Sequence, residues 1–234
     1  TRSDPSPYFE LGRVFETMYG AALAHEHDPD VTTDVLKSNP PWDVAEMSSV
    51  VVQDVNVEID IGGGAIVGEA DWVVLKQSAL SHAGEAGGPD RVKVGPDGGR
   101  TVVWGDGSEH ELSDSDGATP VKKVVETKTK KDLDWVHRKG PDEKHVYQVY
   151  PYMHAFDSPG EIAYMQRNDW EELVVELDYD PDRWLDSVMR ARAHARNQAA
   201  GNGEVPPTTP LDKSECKWCT FSHECKQRGG SRWN

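Results

Sequence analysis

Residues 121–128 read Val-Lys-Lys-Val-Val-Glu-Thr-Lys. This is a mostly apolar strand on which Glu126 and Lys128, two apart, leave the same face. A carboxylate beside an ammonium suits a metal-dependent hydrolase. The carboxylate holds a hard divalent cation, and the ammonium orients the attacking water and offsets charge on a phosphoryl oxygen. Alone, E-x-K reads as readily as a surface ion pair. Asp71 adds weight: it stands in Val-Gly-Glu-Ala-Asp-Trp-Val-Val, and an acid inside an apolar strand is costly unless paired or bound to metal. Asp71 and Glu126 on neighbouring strands could share one cation, with Glu69 a spare ligand on the same face. Asp71 could also simply cap a turn.

Two helical segments add to the set. Gly12 and Glu16 are four apart and stack on one face of the first predicted helix, where Glu16 is either an oxygen ligand or a solvated surface acid. Gln148 and Tyr152 are four apart, flanked by Tyr147, Tyr150, Met153 and Phe156. An amide and a phenol so placed could position a nucleic-acid backbone and a base, and the same pattern is also that of an amphipathic core helix. All three cysteines lie near the end, as Cys216, Cys219 and Cys225 in C-x2-C-x5-C. That clustering argues for zinc or an iron–sulfur cluster over disulfides, with His223 or a distant residue as fourth ligand.

The elements that must carry these residues follow from periodicity. A helix is predicted over 5–24, with Tyr8, Leu11, Phe15, Met18, Tyr19 and Ala22 on its apolar face. Residues 25–49 read as loop. At 50–61, Val51, Val55, Val57, Ile59 and Ile61 alternate with Asp54, Asn56, Glu58 and Asp60, a half-exposed strand. Gly62–Gly64 turns into a second strand, 65–76. Residues 77–119 are Gly/Asp-rich and are expected to hold a hairpin (91–94 with 101–104) inserted in a surface loop. The strand at 121–128 precedes a helix at 142–157, strands near 161–166 and 172–178, and a helix at 183–200. Gly201–Pro210 is a linker to the cysteine segment. The order predicts an α/β layered fold: a domain over 1–210 and a cysteine segment, 211–234, packed on it.

Composition narrows the function classes. The 234 residues carry a net charge of −16 and are 36% hydrophobic, with eight Trp and seven Tyr to anchor a core. No apolar run reaches the roughly 20 residues of a membrane helix, and there is no secretory signal, so a cytoplasmic protein without a membrane partner is expected. The acidity is spread along the chain, a pattern that fits adaptation to molar intracellular salt, where repulsion is screened within a few Å. A DNA partner then needs local basic patches and non-ionic contacts. One candidate patch is 121–140, with seven Lys/Arg (Lys130 and Lys131 among them) against three acidic residues.

Taken in order, these motifs resemble the RecB-like nucleases of the PD-(D/E)XK superfamily. The likeness is closest to the iron–sulfur branch, which includes the CRISPR-associated adaptation exonuclease and the AddB-type nuclease domain. The family pattern is G-x-x-x-H on a helix, Asp on the second strand, E-x-K on the third, Q-x-x-x-Y on the next helix and C-x2-C-x5-C at the end. It falls here on Gly12 with Glu16, Asp71, Glu126 with Lys128, Gln148 with Tyr152, and the three cysteines.

The resemblance implies a restriction-endonuclease-like core and phosphodiester hydrolysis in DNA, in repair, recombination or CRISPR adaptation, with a helicase or adaptation proteins as partners. It implies Mg²⁺ or Mn²⁺ on Glu16, Asp71, Glu126 and the carbonyl of Thr127. Lys128 acts at the phosphate, Gln148 and Tyr152 belong to the catalytic set and orient DNA with Lys130 and Lys131, and a 4Fe–4S cluster (zinc as alternative) sits on Cys216, Cys219 and Cys225. Three departures stand out. Glu16 replaces the histidine, and the stretch between Asp71 and Glu126 is long. The family's first cluster cysteine, upstream of the helix motif, has no counterpart in this sequence: if sequence precedes Thr1 the cysteine is expected there, and if none does, the cluster is incomplete or the site holds zinc. The alternative is a catalytically silent DNA-binding or assembly subunit that keeps the fold and the metal knot.

Overall fold

Alternating apolar and acidic residues and a glycine turn make the first hairpin. The computed structural model describes residues 7–28, 48, 50–62, 64–112 and 120–200, with the backbone alone at 7–10, 81, 82, 84 and 193–200. Strand β1 (Val51–Asp60) pairs antiparallel with β2 (Ala65–Leu75), from Asp60↔Ala65 to Val51↔Val74. Asp60 Oδ1 accepts the Gly62 N–H at 2.7 Å to close the turn. The expected inward set of β1 is buried, and Asp54, Glu58 and Asp60 are exposed.

The other strands are β3 (Pro89–Val94), β4 (Arg100–Trp104), β5 (Glu109–Leu112), β6 (Val121–Lys130), β7 (Gly160–Gln166) and β8 (Glu172–Leu177). All eight form one sheet in the order β5-β4-β3-β1-β2-β6-β7-β8. The pairs β1–β3 and β6–β7 are parallel and the rest antiparallel. Parallel neighbours need a crossover. The chain between β6 and β7 supplies one with helices α3 (Asp134–Lys139) and α4 (Glu143–Phe156), and α2 (Leu80–Ala86) precedes β3. Helices α1 (Pro7–His27) and α5 (Pro181–Ala200) flank the strands in sequence.

Side chains alternate across the sheet, and the core divides accordingly. Trp72, Val74 and Val125 pack with Phe15, Leu23 and Ala24 of α1 on one face. Val73, Leu75 and Val124 pack with Val149, Met153 and Phe156 of α4, and with Val188 of α5, on the other. The protein is thus a mixed α/β fold with helices on both faces. Helix α1 lies close because Gly20 has no side chain: a Cβ there would stand 2.3 Å from the Trp72 ring.

Two expectations need correction. The buried stripe of α1 runs through Phe15, Leu23 and Ala24, while Met18 is 40% exposed and Ala22 faces solvent. The cause is the rotation imposed by the Gly20–Trp72 contact. The hairpin expected within 77–119 exists as β3 and β4, but it is no loop appendage. β3 joins the sheet beside β1, β4 carries β5 at the edge, and Val92, Val94, Val102 and Trp104 belong to the core. No described helix is long and apolar enough to cross a membrane. The cysteine segment, residues 211–234, lies outside the described residues.

Candidate active site at a fork in the sheet

Backbone pairing between β2 and β6 runs from Leu75↔Val121 to Trp72↔Val125 and stops there. Both strands continue, β2 held by β1 and β6 by β7. A fork therefore opens at the next position on each strand, where Asp71 and Glu126 stand. Past the last pair, the Thr127 N–H has lost a β2 carbonyl to donate to, and a buried donor left unpaired is costly. Asp71 fills that role: its Oδ2 accepts from Thr127 N at 2.7 Å and from Thr127 Oγ1 at 2.8 Å.

Glu126 is 1% exposed. Its Oε1 accepts from Lys128 Nζ in a short charge-assisted bond, and its Oε2 is buried with no partner. Burial and the nearby Asp71, with a smaller push from Glu16, raise the Glu126 carboxyl to about 7 against the pull of Lys128. Glu16, on α1, is also raised to about 7, by burial and by Asp71 and Asp54. Lys128 and Arg13 act against that shift. The mouth of the fork thus gathers Glu16, Asp71 and Glu126 against the single ammonium of Lys128, a repulsive set that protonation or a cation would relieve.

Asp54 is a member the sequence reading missed. In the β1–β2 ladder the pairs step from Gln53↔Trp72 to Val55↔Ala70, so Asp54 lies across from Asp71 without a bridge. Its φ is +56°, a left-handed conformation inside a strand that costs an L-residue on the order of 1 kcal/mol or more. Although the residue as a whole is exposed, partial desolvation of its carboxyl, then Glu69 and Asp71, push that carboxyl upward. The ladder is therefore interrupted on both sides of Asp71. Counting back from the glycine turn would have revealed the pairing; the alternation alone marks Asp54 as an outward surface acid.

The remaining predicted residues divide. Tyr152 is buried and packs on the β2 backbone at Gly68, where a Cβ would lie 2.9 Å from its Oη. Burial, then Glu126 and Asp71, push its phenol up to about 12, opposed by the Glu69 backbone and the Gln148 side chain. Gln148 is exposed on the same helix face. Lys131 is exposed. Lys130 is not open to a strand of DNA: its Nζ pairs with Asp142 Oδ2 at 2.7 Å and lies 5.7 Å above the Tyr164 ring. Lys123 in the same basic stretch is held by Glu161 at 2.9 Å. Glu69 is exposed, and Cys216, Cys219 and Cys225 lie outside the described residues. Among the described residues no three His, Cys, Asp or Glu side chains are already gathered as a cation cage. Asp71 is turned to Thr127 and Glu126 to Lys128. A cavity of about 410 Å³ lies elsewhere, between β1, β3, β4 and β5, lined by Glu58, Asp60, Lys93, Arg100 and Glu111; Glu16, Asp54, Asp71 and Glu126 do not border it.

No protein-family model and no curated protein matches the chain. Among solved structures, the chain is similar to the crystal structure of SSO0001. The likeness has 17% identity and a TM-score of 0.47, and it covers 95% of this chain and 72% of that one.

Proposed function

We propose that the protein is a divalent-metal-dependent deoxyribonuclease of the RecB-like PD-(D/E)XK type, hydrolysing phosphodiester bonds as an exonuclease. The observation that carries this reading is Glu126: fully buried, one oxygen on Lys128 and the other without a partner, at the point where the sheet forks. An orphaned carboxylate oxygen among raised acids is a donor set suited to Mg²⁺ or Mn²⁺, which prefer oxygen ligands. Glu16, Asp71, Glu126 and the Thr127 carbonyl would hold the ion, with Asp54 across from Asp71. When bound, the ion supplies Lewis acidity toward a phosphodiester and offsets the carboxylate charge.

The chain's own residues supply the rest. With three or four acids around one lysine, the mouth of the fork repels a phosphodiester until cations balance it. Lys128 keeps N–H groups beyond its bond to Glu126 and can donate them to a non-bridging phosphate oxygen or to the attacking water, stabilising the charge that builds up in the transition state. Tyr152 and Gln148 form the wall opposite β6 and align the strand. The 4Fe–4S cluster or zinc site on the three cysteines would pin the end of the chain and takes no part in these steps. The DNA-processing pathway and its protein partners follow from the family resemblance alone.

One observation favours a second reading, a catalytically silent DNA-binding or assembly subunit: no cation cage is preformed among the described residues. End-labelled single- and double-stranded DNA incubated in high KCl with Mn²⁺ separates the two. Cleavage by the wild type and none by Lys128→Gln supports the nuclease. DNA binding without cleavage by the wild type supports the silent subunit.

A further inference from the structure

The wall formed by α4 does not end at Gln148. His145, Gln148 and Tyr152 are spaced i, i+3 and i+7 and share one helix face. At one end Tyr152 feels the charges of Glu126 and Asp71. At the other, His145 feels Asp142 and, against it, Lys128, Lys144 and Lys130. On the sheet beneath, Lys128 stands beside Tyr164 in the β6–β7 register. Helix and sheet therefore prolong the fork in one direction, away from the carboxylates and toward cations.

The hydrogen bonds fix which nitrogen of His145 carries the proton. Tyr164 is 0% exposed, so its hydroxyl proton must be donated inside the protein. The hydroxyl already accepts the Asp142 N–H at 3.2 Å, and it lies 2.9 Å from His145 Nδ1. A phenol has one proton to give, and the ring nitrogen is the acceptor beside it. Asp142 Oδ2 does not compete: it is 3.9 Å from Nδ1 and is taken by Lys130 at 2.7 Å. Nδ1 is thus the acceptor, and Nε2 bears the hydrogen. Nε2 has no partner among the described residues and is not sealed from solvent. Burial, then Lys128, Lys144 and Lys130, lower the imidazole to about 4 against the pull of Asp142, so it stays neutral through the physiological range.

We propose that His145 is a substrate-binding residue whose Nε2–H donates to a phosphate oxygen of the bound DNA strand on the Lys128 side of the carboxylates. This rests on the nuclease reading and extends its contact surface by one helical turn beyond Gln148. A neutral donor suits the position. It adds a directed hydrogen bond to the phosphate without another positive charge beside Lys128 and Lys130, and it keeps that bond in salt that screens ion pairs.

The test is fluorescence anisotropy with a labelled single-stranded oligonucleotide, with Ca²⁺ in place of Mg²⁺ or Mn²⁺ to balance the carboxylates and a gel to verify that the strand stays intact, on the full chain carrying His145, His145→Phe or His145→Gln. We expect about tenfold weaker binding for His145→Phe, as for loss of one hydrogen bond to a charged group. The slope of log affinity against log[KCl] should stay unchanged, because no cation is lost. His145→Gln, which restores an N–H donor at the same reach, should recover binding to within about threefold. Nitrogen-15 NMR of the imidazole should find Nε2 protonated and Nδ1 not. Unchanged affinity in His145→Phe, a loss that Gln fails to rescue, or a proton on Nδ1 would each overturn the inference while leaving the nuclease reading standing. Absence of DNA binding by the wild type would overturn both.

Discussion

At the scale of single residues, the site is a balance of charge, and its predictions concern pH. Glu16 and Glu126 ionise at about 7 in the folded chain against an ordinary 4.5. The folded state therefore holds protons that the unfolded state has released. Without metal, these two groups cost no stability below about pH 4.5, and the cost grows as pH rises to about 7. A cation removes that cost. Mg²⁺ should therefore raise the melting temperature by several degrees near pH 8 and by almost nothing near pH 5; equal shifts at both would contradict the carboxylate site. Lys128→Ala strands Glu126, so it should destabilise the protein more near pH 8, where the carboxylate is charged, than near pH 5, where it is protonated. Chemical denaturation at the two pH values checks this. Asp54 pays for its left-handed backbone in stability. Asp54→Gly should gain on the order of 1 kcal/mol while weakening Mn²⁺ binding measured by calorimetry. A destabilised Asp54→Gly with full Mn²⁺ affinity would assign the strain to folding instead.

At the scale of elements, much of the scaffold is legible because its signals are local. The alternation at 51–61, the Gly62–Gly64 turn, the strand around Glu126 and the helix around Gln148 are each specified by neighbours in sequence. What escapes sequence reading depends on partners far along the chain. The face of α1 is set by Gly20 meeting Trp72, a contact across 52 residues. Gly20→Val should accordingly cost about 1–3 kcal/mol as overpacking, read as a lower urea midpoint. The joining of β3 to β1 is a parallel pairing, invisible to periodicity, so 77–119 looks like a surface insertion. The site residues Glu16, Asp71, Glu126 and Lys128 could be named from types and spacing. Asp54 and His145 could not, because the first needs the hairpin register and the second needs Tyr164 and Asp142 to fix its proton. The basic stretch at 121–140 misleads for the same reason: Lys123 and Lys130 are bound to acids, Glu161 and Asp142, that only the fold brings near.

At the scale of the whole molecule, the proposed nuclease activity requires a chain of −16 to meet DNA through a local departure from its overall charge. The fork offers that departure only once its acids are neutralised, so binding and catalysis should both depend on divalent ions and tolerate salt that would dissociate an ordinary basic interface. Everything proposed for this protein turns on whether the fork around Glu126 is a metal-dependent nuclease site. The most direct measurement is cleavage of end-labelled DNA in high KCl with Mn²⁺, by the wild type beside Glu126→Gln, with circular dichroism to verify that both are folded. A nuclease site at the fork gives a product ladder for the wild type, its loss in EDTA, and at least about a hundredfold slower cleavage by Glu126→Gln, on the order expected when a group stabilising the transition state is removed. Cleavage by Glu126→Gln at the wild-type rate, or wild-type cleavage that persists in EDTA, would contradict it.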